Sequence, residues 1–186
     1  MPDIAGPESL AEAVCSGRLH EDIAMETLAR FVPADAPRIL AHLLMLDADD
    51  RMLRFGYGIR DEGIAGYVAR LDFARDHLHG LCAASGEIIA LAHVGIRDGE
   101  TDFGLSVTLA HRGRGLGHRL FGHVIELARS SGAACVVCHS ISPAVHHMAI
   151  LHGFRRSGGK LAAPLTLQLF AGTETRTHAE PACADT

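Results

Sequence analysis

Two stretches in the first half of the chain carry hydrophobic residues at helical spacing. Residues 37–46 (PRILAHLLML) follow Asp35, which stands where a helix N-cap belongs, and place a proline in the first turn. Residues 61–73 repeat this arrangement, with Asp61 as the cap and an apolar face that includes Tyr67. The pattern therefore predicts two helices and places Tyr67 in the core.

The hydrophobic period then changes to that of strands. Apolar runs at 76–84 and 87–96 are joined by a Ser-Gly-Glu turn, which predicts a hairpin. A third strand is predicted at 101–109, and two more at 133–140 and 165–170. Strands therefore dominate the middle and the end of the chain.

Helical spacing returns twice between these strands. Residues 115–130 predict an amphipathic helix that ends at a Ser-Ser-Gly turn. Its predicted buried stripe consists of Leu116, Leu120, Phe121, Val124, Leu127 and Ala128. Residues 142–154 predict a shorter helix that ends at Gly153.

This mixture of helices and strands predicts one domain of the α/β (α+β) class, because 186 residues suffice for one sizeable core. We expect the domain to span residues 35–171. Residues 1–34 have modest helical patterning around 8–14 and 20–31, and predict a helical extension. Residues 172–186 are polar and predict a flexible tail.

Composition and charge narrow the classes of function. Hydrophobic residues make up 48% of the chain and charged residues 21%, as is typical of a soluble globular protein. No apolar run approaches the roughly 20 residues that span a bilayer, so we expect no membrane partner. The net charge of −5 gives no basic footprint for nucleic acid. The first residues do not resemble a signal peptide, so we expect a cytoplasmic protein.

The cysteine and histidine patterns do not indicate a metal site. The five cysteines are scattered, which favours reduced thiols. Cys135 and Cys138 form a CxxC, but they lie in a predicted strand, where side chains three apart point to opposite faces. No second CxxC and no HExxH accompany them, so we expect no metal.

The most distinctive stretch is RGRGLG at residues 112–117, between a predicted strand and a predicted helix. The first amide groups of a helix lack intrahelical partners, and the helix dipole adds positive charge there. Glycines let an anion approach the backbone and permit unusual dihedral angles, while Arg112 and Arg114 add positive charge. The stretch therefore predicts a pyrophosphate-binding loop.

Three kinds of phosphate loop compete for this stretch. A P-loop needs GxxxxGK[ST], but the only lysine is Lys160. A dinucleotide-binding GxGxxG needs glycine at position 118, where the chain has His118. The remaining pattern is R-x-x-G-x-G, which residues 112–117 fill completely. Tight packing of a strand onto a helix is the structural alternative for the same glycines.

The R-x-x-G-x-G stretch resembles the signature of the GNAT superfamily of acetyl-CoA-dependent N-acetyltransferases. The order of elements over residues 76–171 is also similar to that of the superfamily. So is the Gly153-Phe154 pair that ends the helix predicted at 142–154. The resemblance implies a mixed, mostly antiparallel central sheet flanked by helices, with the fourth and fifth strands splayed apart. It also implies acetyl-CoA as the acyl-donor cosubstrate.

The resemblance further implies where the cofactor would bind. The backbone near Ser106 and Val107 would pair with pantetheine, the amides of 112–117 would hold the pyrophosphate, and Ser142 would contact the pantetheine arm. The predicted cofactor-binding residues are Ser106, Val107, Arg112, Gly113, Arg114, Gly115, Leu116, Gly117 and Ser142.

Two residues are predicted to be catalytic. Asp102 stands where many members of the superfamily carry a glutamate, and it would accept the amine proton through water; its neighbour Glu100 is the alternative. The usual acid is a tyrosine, but its position holds Ala149. His139 is the favoured replacement because imidazole titrates near neutral pH, with His146 and His147 also nearby.

A second resemblance concerns Arg51 and Arg54. The sequence RMLRF is similar to an Arg-x-x-Arg-Phe signature in a subset of GNAT proteins that includes some bacterial protein-lysine acetyltransferases. These arginines would bind an acidic acceptor, or they would pair with the neighbouring Asp-Ala-Asp-Asp and hold the loop.

The sequence thus favours a metal-free N-acetyltransferase that transfers an acetyl group directly to a primary amine. The acceptor would be a small molecule, a protein lysine or an N-terminus, and a homodimer is a further expectation. A catalytically weak CoA-binding sensor is the second hypothesis, supported by Ala149. Nucleotide binding by a degenerate phosphate loop is the third.

Overall fold

A mixed sheet lies at the centre of the computed structural model, which describes residues 26–156 and 163–170. Its order within this part of the chain is β1-β2-β3-β4-β5-β7-β6. The strands are β1 (Thr27–Arg30), β2 (Asp76–Cys82), β3 (Ile88–Arg97), β4 (Glu100–Val107), β5 (Cys135–Cys138), β6 (Arg155–Arg156) and β7 (Leu165–Gln168). β4 and β5 run parallel, and the other neighbouring strands run antiparallel. The predicted mixed, mostly antiparallel sheet is confirmed.

Helices cover both faces of this sheet. They are α1 (Ala36–Leu44), α2 (Ala48–Phe55), α3 (Asp61–Ala69), α4 (Leu116–Ser130) and α5 (Pro143–Leu151). α1 and α3 pack their apolar faces against one side of β2 and β3, with Ile39 and Ile64 fully buried there. α4 packs on the opposite side of β3, where Leu120 is fully buried. Because both faces of β3 are covered, nearly every residue of that strand is apolar.

Three elements, β1, α2 and the two-residue strand β6, differ from the sequence-based prediction. Thr27–Arg30 lie within the predicted helical stretch 20–31 but form β1, which pairs with the edge of β2. A ladder of hydrogen bonds along an open strand edge outweighs the weak helical preference of so short a segment. α2 was not predicted, because half of its sequence, ADDRMLRF, is charged. Residues 1–25 and 171–186, which include most of the predicted extension and the tail, lie outside the described residues.

The two predicted aspartate caps are only partly correct. Asp35 occupies the N-cap position of α1, but its carboxylate accepts hydrogen bonds from Val32 N–H (3.0 Å) and Arg38 (2.6 Å). α3 begins at Asp61 itself, so its N-cap is Arg60.

Strands β4 and β5 separate soon after they meet. Only Glu100–Asp102 of β4 pair with Cys135–Val137 of β5. β4 continues as far as Val107, paired with β3 alone in the described part of the chain. The splay implied by the family resemblance is therefore present, and it opens a gap directly before α4.

A buried histidine links α1 to the two central strands beside this gap. His42 is 2% exposed; its Nδ1–H donates to Ile88 O (2.8 Å), and its Nε2 therefore accepts from Ser106 Oγ (2.8 Å). Burial lowers the pKa of His42 to about 4, and the positive charge of Arg54 acts in the same direction. The neutral ring thus holds three elements together.

We expect the free energy of unfolding to decrease as the pH falls from about 6.5 to about 4. Unfolded His42 binds a proton with its ordinary pKa of 6.5, whereas the native residue does so only near 4. Its contribution, about 3 kcal/mol, is complete above pH 6.5 and is lost as the pH falls through this window. Urea denaturation at about pH 7.5 and about pH 4.5 measures the difference.

The matched variants are His42→Gln and His147→Gln, the latter at an exposed position. The first should flatten the pH dependence and the second should leave it unchanged. A residual slope is expected from His79, whose pKa burial also lowers to about 4. An identical slope in His42→Gln and wild type would contradict the assignment.

Candidate active site

Two adjoining cavities occupy the gap between β4 and β5. The larger has a volume of about 440 Å³ and the smaller about 260 Å³. They share the lining residues Leu53, Arg54, Leu105, Ser140 and Val145. The two cavities therefore lie side by side, with these residues as their shared wall.

The larger cavity is bounded by the N-terminus of α4. Gly113 and Gly115 have φ angles of +73° and +77°, a left-handed conformation that favours glycine. A Cβ atom at either position would point into open space. The first helical hydrogen bond runs from Arg119 N–H to Gly115 O (3.0 Å), so the amides of residues 116–118 precede it. Such an end attracts an anion.

The structure brings most of the predicted cofactor-binding residues together around this cavity. Arg114 is not part of the lining; it forms an ion pair with Glu26 (3.1 Å) instead. The predicted residues that line the larger cavity are Ser106, Val107, Arg112, Gly113, Gly115, Leu116, Gly117 and Ser142.

Ser106 and Val107 present different groups to the gap. Thr108 N–H donates to Ile89 O (2.9 Å) on β3, so by the alternation of an antiparallel ladder the peptide groups of Val107 face away from β3. Val107 O accepts a hydrogen bond from Arg112 Nε (3.1 Å), which agrees with this direction. The hydroxyl of Ser106 is bound to His42. Val107 is therefore the residue whose backbone N–H and C=O groups face the gap.

An acidic side chain already neutralises Arg112. Its guanidinium forms a short ion pair with Asp50 on α2, and the Asp50 side chain is only 13% exposed. Asp50 also lines the larger cavity. Sequence spacing gives no sign of this pair, because 62 positions separate Asp50 from Arg112.

The smaller cavity is lined by polar side chains from four elements. Arg54 comes from α2, Tyr67 from α3, His93 from β3 and Asp102 from β4. The Tyr67 hydroxyl forms a short hydrogen bond with His93 Nδ1 and accepts another from Arg54 Nη2 (3.2 Å). The prediction that Tyr67 is a core residue is therefore only half right. Its ring packs edge-on against Phe55 at 5.3 Å, but its hydroxyl reaches the cavity.

The two predicted catalytic residues line this same cavity. Asp102 lies opposite Gly95 in the β3–β4 register, and a Cβ at Gly95 would overlap its carboxylate. His139 follows the end of β5 and is exposed. Ala149 is fully buried in the core between α4 and α5 and provides no hydroxyl.

The two arginines of the RMLRF stretch have separate roles. Arg51 donates to Leu46 O (2.8 Å) and forms an ion pair with Asp61 (2.7 Å), so it joins the end of α1 to the start of α3. Arg54 lies over Gly104, where any Cβ would overlap its guanidinium. Arg51 is thus structural, whereas Arg54 lines both cavities.

His93 and Asp76, like Asp50, are site residues that sequence reasoning missed. A lone histidine in the apolar strand EIIALAHVGI is a signal that would have identified His93. Asp76 stands at the start of β2, and only the pairing of β2 with β3 brings it close to His93.

Cys82, Cys135 and Cys138, the cysteines within the described residues, are free thiols. Burial raises the pKa of Cys135 and of Cys138, which makes both thiols less reactive. Within residues 26–156 and 163–170, no three His, Cys, Asp or Glu side chains are grouped as a metal site would require. No helix in this part of the chain is long and apolar enough to cross a membrane.

Solved structures with this architecture are acetyltransferases of low sequence identity. The GNAT domain of S. lividans PAT is 19% identical, with a TM-score of 0.62 over 76% of this chain and 89% of its own. An N-acetyltransferase from Staphylococcus aureus Mu50 is 14% identical, with a TM-score of 0.60 over 77% and 98%. A ribosomal-protein-alanine N-acetyltransferase from Brucella melitensis is 18% identical, with a TM-score of 0.57 over 75% and 96%. At such low sequence identity, the similarity to these structures establishes the fold alone.

Sequence comparison identifies the family. A search of curated proteins gave no significant match. The model of the acetyltransferase (GNAT) family matches residues 40–157, which is well over half of the chain and includes both cavities' central elements. The chain therefore belongs to the GNAT family of acetyltransferases.

Proposed function

We propose that this protein is an N-acetyltransferase that binds acetyl-CoA in the larger cavity and transfers the acetyl group directly to a primary amine in the smaller one. The observation that carries the proposal is the shared wall of the two cavities, at Arg54, Leu105 and Ser140. A thioester entering from one side and an amine entering from the other meet there, and holding two reactants together lowers the entropic part of the barrier.

The residues that line the larger cavity support this assignment of the cosubstrate. The amides at the start of α4 and the guanidinium of Arg112 would bind the pyrophosphate. The outward-facing peptide of Val107 would pair with the pantetheine amides, and Ser142 would hydrogen-bond the same arm. The open space beside Gly113 and Gly115 leaves room for an anion against the backbone.

The residues around both cavities favour transfer without a covalent enzyme intermediate. No cysteine is among the described residues that line them, so a thiol nucleophile is not at hand. The smaller cavity instead presents the carboxylate of Asp102. It would attract a protonated amine and accept a proton from it through water, which leaves the neutral nucleophile.

A catalytically weak CoA-binding sensor is the second candidate, and Ala149 is the observation that favours it. The two candidates share the larger cavity but differ in turnover. Measurement of CoA release against amino acids, polyamines, arylalkylamines and lysine-containing peptides separates them.

Acetyl-CoA and CoA should raise the melting temperature more than ATP or NAD does. At about a hundred times its dissociation constant, a ligand that binds only the native state adds about 2.7 kcal/mol, which is a shift of several degrees. Gly115→Ala should abolish most of this shift, because φ = +77° suits glycine and an alanine would move the amides that face the ligand.

Gly86→Ala is the matched control, since Gly86 has φ = +84°, open space around it and a place in the β2–β3 turn. Both variants should be about 1 kcal/mol less stable than wild type. Only Gly115→Ala should lose CoA affinity. Stronger stabilisation by ATP or NAD would instead support nucleotide binding.

Asp50→Asn should bind CoA several-fold more tightly than wild type. The substitution removes the carboxylate that competes with phosphate for Arg112. Isothermal titration calorimetry with CoA measures the change, and Asp49→Asn on the exposed side of the same helix is the control. Equal tightening in both variants would mean that only net charge matters.

Asp102→Asn should lower kcat/KM for the amine about 100-fold, the usual range for losing a general base. Glu100→Gln tests the neighbouring carboxylate, which lies on the same strand outside the lining of the smaller cavity. Steady-state rates with acetyl-CoA and the best amine of the panel give the comparison. A large loss in Glu100→Gln with little in Asp102→Asn would reverse the assignment.

A further inference from the structure

Three side chains form a hydrogen-bonded chain that leads from the sheet to the smaller cavity. Asp76 on β2 is 9% exposed, and its Oδ1 lies 3.3 Å from His93 Nε2. His93 Nδ1 in turn forms the short hydrogen bond with the Tyr67 hydroxyl. Three different elements supply these residues, so only the folded protein contains the chain.

The partners determine where the protons lie. A carboxylate only accepts hydrogen bonds, so with the ring neutral Nε2 of His93 carries the hydrogen that faces Asp76. Nδ1 is then an acceptor, and the Tyr67 hydroxyl donates to it. The Asp76 carboxylate is itself held by Asp72 N–H (3.0 Å) and by Arg97 (3.6 Å). This is the order of an acid–base triad, with a phenol at the reactive end.

Arg54 connects the end of this chain to the point where the cavities meet. Its Nη2 lies 3.2 Å from the Tyr67 oxygen, and its side chain lines both cavities. The guanidinium lies over Gly104, which is the register partner of His93 across β3 and β4. A positive charge at this place stabilises the Tyr67 oxygen whenever that oxygen carries negative charge.

We propose that Tyr67 is a catalytic acid–base group of the acetyl transfer and replaces the tyrosine that is absent at position 149. His93 and Asp76 orient its hydroxyl and take up its proton. The assignment rests on the proposed function. It goes beyond the role of Asp102, because an amine that arrives protonated must lose two protons, one before attack and one after.

The second proton defines the role of Tyr67. As the amine nitrogen forms its bond to the thioester carbonyl carbon, that nitrogen becomes positively charged. The Tyr67 oxygen accepts the surplus proton while its own proton passes to His93 Nδ1, and Asp76 stabilises the resulting imidazolium. When the carbon–sulfur bond breaks, the same path returns a proton to the leaving thiolate. The products are the N-acetyl amide and CoA thiol, and His93 is again neutral.

The surroundings of His93 keep its ring neutral, so that Nδ1 is available to accept a proton. Burial lowers the pKa of His93 from its ordinary 6.5, while the hydrogen bond to Asp76 partly opposes this shift. The charged and titratable groups that face His93 are Asp76, Arg54, Asp102 and Tyr67, with Arg97 on the far side of Asp76. Protonation of Nδ1 at low pH would block the path from Tyr67.

The test compares Tyr67→Phe with Tyr57→Phe in the full chain, with acetyl-CoA and the best amine of the panel. Tyr67→Phe removes the hydroxyl and keeps the ring against Phe55. Tyr57 is the only other tyrosine, is 58% exposed and is outside the lining of both cavities. We expect kcat to fall about 100-fold in Tyr67→Phe, with KM for acetyl-CoA nearly unchanged, and no change in Tyr57→Phe.

The pH profile distinguishes a catalytic role from a structural one. In wild type, kcat should have an acid limb at a pH below the ordinary histidine pKa of 6.5, because burial lowers the pKa of His93 and the protonated ring cannot accept the proton of Tyr67. Tyr67→Phe and His93→Gln should both lack this acid limb. If Tyr67→Phe does not fold, the pH profile of kcat in His93→Gln alone tests the proposal.

Two outcomes would overturn the proposal in different ways. Full kcat and an intact acid limb in Tyr67→Phe would remove Tyr67 from the mechanism and leave the acetyltransferase function standing. A wild-type protein that binds acetyl-CoA but acetylates no amine of the panel would refute the proposed transfer, and the role of Tyr67 with it.

Discussion

The separation of β4 from β5 after the pair Asp102–Val137 is the constraint on which the site depends. Buried peptide groups require hydrogen-bond partners, and a strand that leaves its neighbour exposes a row of them. Along the rest of β4 these groups face a cavity and a guanidinium, as Val107 O does with Arg112. The rigid pairing of β4 with β3 holds that row in place, so the gap is a preformed slot of the kind that binds an extended ligand.

Charge is distributed unequally along this slot. At one end the start of α4 and Arg112 are positive, and Asp50 neutralises part of that charge. At the other end the carboxylate of Asp102 lines the smaller cavity. Arg54 lies between the two ends, beside the hydroxyl of Tyr67. The two adjoining cavities therefore differ in the sign of their nearest charges.

The accuracy of the predictions depended on the range of the interactions involved. The loop at 112–117 and helix α4 followed from sequence because positive-φ glycines and an apolar stripe are local features. Tyr67 is predicted to be a core residue because its helical face is apolar. That pattern does not reveal which groups its terminal hydroxyl contacts. The short segment Thr27–Arg30 was misjudged because its partner, β2, lies some fifty residues away in the chain.

The sequence by itself determined the order of the main helices and strands, the family and the glycine-rich loop at 112–117, since each rests on spacing within a few consecutive residues. Only the tertiary structure decided that Asp50 neutralises Arg112, that Arg54 joins two cavities, and that Asp76, His93 and Tyr67 form one hydrogen-bonded chain. The physical reason is that hydrogen bonds and ion pairs act over about 3 Å in space, whichever positions in the chain supply the atoms.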